Sequence, residues 1–203
     1  MRLDYILVLI VLSFQIGGCA FQPIAPVPTD HYYRLPEPES VLKKKIFNGE
    51  VLVRRFHGSG LYMERALLFS KDPQGLVLEQ HHYHFWYDTP PRMLQSQLVS
   101  WLRKMGAAPQ VVTDSGIEHQ YVITSRIQRF ERILHAGTAT VVVALELQLR
   151  KRHAKRVLLV REYREEIDIP DIKVQSAIHA YGKALDSIFL RFVEDAEKAL
   201  QQD

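Results

Sequence analysis

The chain has very little cysteine: Cys19 is the only one among 203 residues, so no disulfide can form within it. It also lacks any uninterrupted apolar run of about 20 residues, the length a membrane-spanning helix needs. An excess of one charge sign is also lacking, with 26 Lys and Arg against 23 Asp and Glu and a net of +3 when histidine is neutral, and this mild balance does not point to nucleic acid. The common catalytic signatures are missing as well. There is no His-Glu-x-x-His pair for zinc and no glycine loop followed by Lys-Ser/Thr for phosphate. Gly58-Ser59-Gly60 lacks the Gly-x-Ser-x-Gly form of a nucleophile elbow and reads as a flexible connection between strands. Glu165 and Glu166 are adjacent on a strand, so they face opposite sides and form no acid/base pair by themselves. No internal repeat or low-complexity block divides the chain, and its length suits one domain.

What the sequence does hold begins at the N-terminus. Arg2 precedes a short apolar run from Tyr5 to Ile16, then Gly17, Gly18 and Cys19. The run matches the apolar region of a secretory signal, about 7–15 residues. Ile16-Gly17-Gly18-Cys19 resembles a bacterial lipobox, in which the cysteine thiol is alkylated by diacylglycerol, the signal is cut before it, and the new amine is acylated. The expected division is a signal peptide over 1–18, a lipidated Cys19 with a tether over 19–30, and a folded domain over 31–203. Pro23, Pro26 and Pro28 stiffen and extend the tether. Ala20 after the cysteine, rather than Asp, resembles the signal for sorting to the outer membrane.

The rest of the chain alternates strands and helices. Strands are expected over His31–Leu35, Lys45–Phe56 and Ala66–Ser70, with a further short run over Gly75–Gln80. Asp72-Pro73-Gln74-Gly75 forms a turn. Thr89-Pro90-Pro91 starts a helix, with Thr89 as its cap and prolines in the first turn, where a missing N–H costs little. The helix runs to Met105, its apolar face is Leu94, Leu98, Trp101, Leu102 and Met105, and Gly106 suits its end. Three strands follow over Gln110–Thr113, Gln120–Leu134 and Thr138–Arg152, and Arg156–Ile169 returns as a partner. A long helix over Val174–Gln201 carries an apolar stripe of Ile178, Tyr181, Leu185, Ile188, Phe189, Phe192, Ala196 and Leu200. The expected fold is α+β: a single domain with a mostly antiparallel sheet packed by two main helices.

Two clusters draw a chemical reading. Gln80-His81-His82-Tyr83-His84-Phe85-Trp86-Tyr87-Asp88-Thr89-Pro90-Pro91 gathers three histidines. On an ideal strand His82 and His84 share a face and His81 opposes them, which leaves a zinc site short of ligands. The stretch reads instead as a strand end feeding the proline-started helix, with Trp86 either packed beneath it or displayed to a partner. Arg150-Lys151-Arg152-His153-Ala154-Lys155-Arg156 is a basic hairpin tip, either solvated or in contact with anionic headgroups or an acidic partner.

Taken together, the chain resembles the ABC-type transport auxiliary lipoprotein family, the PqiC-like proteins. Four stretches carry the resemblance: the lipobox; Tyr32-Tyr33-Arg34-Leu35 soon after the tether; His84 to Leu94, where the family often reads His-x-Trp-x-x-Pro-Pro before a helix; and the closing hairpin and amphipathic helix. Gly60 to Arg65 departs from the family's Leu-Asp-Arg-Pro-like stretch. The resemblance implies a non-enzymatic accessory of lipid transport without cofactor or metal. It would be anchored in the outer membrane by acyl chains such as palmitate. It would dock a periplasm-spanning protein with mammalian-cell-entry (MCE) domains and the ABC transporter components, and it is compatible with a homo-oligomer. Docking is expected at Tyr62, Trp86, Pro90, Pro91, Arg152 and Lys155. Two other roles compete: a lipoprotein partner of an outer-membrane β-barrel complex, and a His-dependent periplasmic metal protein.

Overall fold

The computed structural model describes residues 27–39, 43–154 and 156–202. The signal, Cys19 and most of the tether lie outside the described residues, as does Lys155. In chain order the elements are β1 (His31–Tyr33), β2 (Val51–Val53), a 3-10 turn (Gly60–Met63), β3 (Ala66–Ser70), β4 (Glu79–Trp86), α1 (Pro90–Met105), β5 (Val111–Val112), β6 (Tyr121–Leu134), β7 (Ala139–Lys151), β8 (Val157–Ile169) and α2 (Val174–Gln201). The α+β expectation holds: among the described residues, two helices and one eight-stranded sheet form a single domain.

β6 organises the sheet. One of its edges pairs antiparallel with β7 along nearly its whole length, and β7 pairs likewise with β8. Its other edge is shared. β2 pairs with the first residues of β6, and β3 with the last. From these two starting points the sheet continues to β5 on one side and through β4 to β1 on the other. The parallel pairings are only two or three residues long.

Alternation in β7 sends Val141, Val143, Leu145, Leu147 and Leu149 into one core with the stripes of both helices. The core-facing side of β6 includes Tyr121, Ile123 and Ile127, then Phe130. An irregularity between Ile127 and Arg129 shifts the register by one residue, so the apolar pattern changes phase without leaving the core. The other face of β6–β8 is mostly polar, apart from buried Val122, Val142 and Ala144. Thr124 donates to Gln148 at 2.9 Å, Thr140 to Asp168 at 2.7 Å, and Arg164 pairs with Glu166 at 2.5 Å.

Several local expectations need correction. The strand expected over Lys45–Phe56 is only Val51–Val53. Before Asn48 the backbone bonds elsewhere: the Lys44 N–H donates to Met105 O, and those of Ile46 and Phe47 to Ala107 O. Those carbonyls at and just beyond the end of α1 replace a strand partner. The run expected from Gly75 belongs partly to a turn, closed by Gly75 N–H to Asp72 O at 2.8 Å with Gly75 at φ 69°. Thr89 does sit at the start of α1, but its hydroxyl caps nothing. Its carbonyl accepts from Arg92 and Met93 N–H at 3.0 Å, while its own N–H donates to Asp88. Gly106 ends α1 as expected, at φ 71°.

Candidate functional site

β4 runs straight into α1, and its last residue decides what the junction can do. Trp86 is 1% exposed. Its ring lies 5.3 Å from Phe130 of β6 and 5.2 Å from Tyr181 of α2. It is therefore packed, with its ring against Tyr181 of the C-terminal helix. Pro90 and Pro91 open α1 and are also buried. Pro91 O accepts from Phe56 N–H at 3.4 Å, and the ring closes over Gly58, where an added Cβ would lie 3.3 Å from Pro91 Cγ. Thus Gly58-Ser59-Gly60 does more than connect strands: Gly58 lets the chain approach α1 closely. Trp86, Pro90 and Pro91, all buried, offer no side chain freely to a partner.

Tyr62 is half-buried on the 3-10 turn and donates to Glu131 Oε2 at 3.0 Å. Glu131 is fully buried and also accepts from Arg129 Nε at 2.5 Å and from Phe130 N–H at 2.7 Å. Three donors satisfy a carboxylate that would otherwise be costly to bury. Burial, with Glu131 beside it, raises the Tyr62 hydroxyl well above the usual phenol range. Tyr62 therefore pins the turn to β6.

The histidine cluster is corrected by the β3–β4 register. Ala66 faces Phe85 while Leu68 faces Gln80, so β4 carries extra residues between those pairs. Strict alternation is lost, and the His81 and His84 rings meet edge to face at 5.4 Å. His82 is exposed instead. His31 of β1 stacks on His84 at 5.3 Å, and Tyr33 Oη lies 2.8 Å from His84 Nδ1. Arg132, only 3% exposed, donates Nη2 to His81 Nε2 at 2.9 Å and Nη1 to Ile172 O at 2.7 Å. A guanidinium donor requires Nε2 to be the unprotonated nitrogen. Burial, then the Arg132 charge, pushes His81 down to about 4. A fixed cation on a would-be ligand nitrogen opposes metal binding, and among the described residues no three His, Cys, Asp or Glu side chains group as a metal site.

Of the docking residues expected from sequence, Arg152 alone is both described and exposed. Its N–H donates to Gln120 O at 2.8 Å. With His119, Tyr121 and Lys151 it lines an open cleft of about 340 Å³. The structure does not bring Arg152 together with the β4–α1 junction in one site.

Sequence reasoning missed an aromatic and cationic face at the free edge of β1. Tyr32 pairs in register with Phe85, and the rings stack at 5.7 Å. The Arg34 guanidinium lies 4.4 Å from the Tyr87 ring centre, and Arg65 lies 5.1 Å from that of Tyr32. Tyr32 is 55% exposed and Tyr87 57%. The signal was available as period-two spacing in Tyr32-x-Arg34 and Phe85-x-Tyr87. Finding it required knowing that β1 lies beside β4, a long-range parallel pairing.

A family model described as "ABC-type transport auxiliary lipoprotein component" matches residues 61–190, more than half of the chain. Among solved structures, a Xanthomonas campestris protein of family DUF330 superposes with a TM-score of 0.73 at 17% identity, covering 85% of this chain and 98% of that one. A second, uncharacterized protein gives 0.66 at 12% identity, covering 82% and 97%. No curated protein matches. At these identities the structural neighbours speak for the fold. The matched segment contains the β4–α1 junction, the β6–β8 meander and most of α2, and on that match the chain belongs to the family of ABC-type transport auxiliary lipoprotein components, with an accessory role in transport.

Proposed function

We propose that this protein is an outer-membrane-anchored, periplasm-facing lipoprotein, a non-catalytic docking component of a lipid transport system that pairs an ABC transporter with a periplasm-spanning MCE protein. The observation that carries the reading is the family match over residues 61–190. The lipobox-like Ile16-Gly17-Gly18-Cys19 and the proline tether support it from outside the matched segment. In this reading residues 1–18 are removed, Cys19 is acylated, 19–30 set the reach, and 31–203 form the docking domain. Three acyl chains at about 0.8 kcal/mol per buried methylene hold it permanently. A tethered dock then raises the local concentration of its partner's far end.

The burial of Trp86, Pro90 and Pro91 gives them a supporting role in such a dock. They fix the angle at which α1 leaves the sheet, and so shape the surface around them. Arg152 and Lys155 belong to the basic tip, where an acidic partner surface is the natural complement. Chemical crosslinking in intact cells, with mass spectrometry of the recovered complexes, tests the reading. An MCE protein or transporter component among the crosslinked partners is the expected result. A β-barrel protein recovered in their place would overturn it.

A further inference from the structure

The face formed by Tyr32, Arg34, Arg65, Phe85 and Tyr87 is assigned by neither the family match nor the docking role. Tyr33 and Trp86, the residues between, turn inward to the core. The outward set is therefore one side of the β1–β4 edge, with two tyrosines more than half exposed. Among the described residues neither Arg34 nor Arg65 takes part in an ion pair. Each guanidinium is instead held close to a tyrosine ring, and Arg65 Nε donates to Trp86 O at 3.2 Å. Tyr32 Oη donates to Asp30 at 3.3 Å. A tyrosine keeps an apolar ring and a polar end, the combination that settles at the boundary between acyl chains and water. A guanidinium is matched to phosphate oxygens.

Position in the chain selects the occupant. Cys19 precedes His31 by twelve residues, a length that spans at most about 40 Å when fully extended. The face begins one residue into β1, so it is the first folded surface after the anchor. We propose that this aromatic and cationic face rests on the phospholipid headgroup layer of the membrane that holds the chain, and sets the orientation of the domain above it. The inference rests on acylation of Cys19, not on the identity of the transport partner.

The native tryptophans make the test clean, because Trp86 and Trp101 are 1% and 2% exposed. The full chain is purified from a host that processes it and placed in vesicles of phosphatidylethanolamine and phosphatidylglycerol. Some of these lipids carry a nitroxide high on the acyl chain. Tyr87→Trp reports on the face, and Leu190→Trp reports on the exposed side of α2. Quenching of the Tyr87→Trp emission several-fold above that of Leu190→Trp is expected. Adding Arg34→Glu and Arg65→Glu to the reporter should return it to the Leu190→Trp level with unchanged circular dichroism. Mass spectrometry of the N-terminal peptide is read alongside. An unacylated chain overturns the anchor and this inference together. An acylated chain with equal quenching at the two reporters overturns this inference alone, as does an emission already blue-shifted but unquenched, which marks contact with a second copy.

Discussion

Gly182 sits in the interior of α2, where glycine normally costs about 1 kcal/mol relative to alanine. Its reason is Pro36. An added Cβ would lie 2.4 Å from Pro36 Cγ and 3.2 Å from its Cδ, and a proline ring cannot swing aside as a flexible side chain can. Gly182→Ala should therefore destabilise by about 1–2 kcal/mol despite the better helix propensity. Adding Pro36→Ala should recover most of that loss in urea unfolding; a double variant no better than the single one would refute the steric account. His81 gives a pH prediction. Its pKa falls from 6.5 to about 4 on folding, through burial first and Arg132 second. Between those values the unfolded chain binds more protons than the folded one, so the contribution is complete above 6.5 and drains away as pH falls toward 4. The ring is only partly buried, and solvent screening reduces the effect to on the order of 1 kcal/mol. Unfolding free energies at pH 7 and pH 5 should show the loss, and His81→Gln should flatten it. A variant as pH-sensitive as the parent would point to other groups, among them His84, which is also lowered.

At the level of elements, α1 separates two kinds of terminus. Gly106 closes the helix at φ 71° with open space where a Cβ would lie, so Gly106→Ala should cost about 1 kcal/mol of backbone strain and nothing sterically. Thr89→Ala should cost less than about 0.5 kcal/mol, below the usual value of about 1 for a capping threonine, because its hydroxyl makes no cap bond. Thermal unfolding of the two variants checks the contrast, and a Thr89→Ala loss as large as that of Gly106→Ala would contradict it. The elements readable from sequence are those whose pattern is local. α2 is found over Val174–Gln201 as its stripe implies, and β6, β7 and β8 fall within a residue or two of expectation, because strong periodicity is fixed by burial on one face. Where pairing is long-range the sequence is silent. The register slip in β4 that joins His81 to His84 is set by β3, and the shortening of β2 by the carbonyls that end α1. The same limit hid the candidate surface: Tyr32 and Phe85 are far apart in the chain, and a parallel pairing between them leaves no local trace.

For the whole molecule, the matched family segment and the folding unit are not the same length. The match covers 61–190, yet one continuous core extends beyond it at both ends. Before it lie Phe47, Val51, Val53 and Phe56, all buried, with Phe47 packed 5.2 Å from Tyr121 of β6. β2 also supplies the pairing that connects β5 to β6. After it, the last turns of α2 carry Phe192, Val193 and Ala196 into the same core, and Asp195 accepts from Tyr163 of β8 at 3.0 Å. Fully burying a large apolar side chain contributes roughly 1.5–3 kcal/mol, so the six large side chains outside the match contribute together about 9–18 kcal/mol, as much as the roughly 5–15 kcal/mol by which a domain is typically stable. A fragment limited to residues 61–190 should therefore lack a cooperative urea transition, lose its near-ultraviolet circular dichroism and bind a hydrophobic dye. Residues 27–202 should unfold in one step, with Trp86 and Trp101 fluorescence and far-ultraviolet signal changing together. If 61–190 alone unfolds cooperatively, β2 and the last turns of α2 are additions to a self-sufficient core.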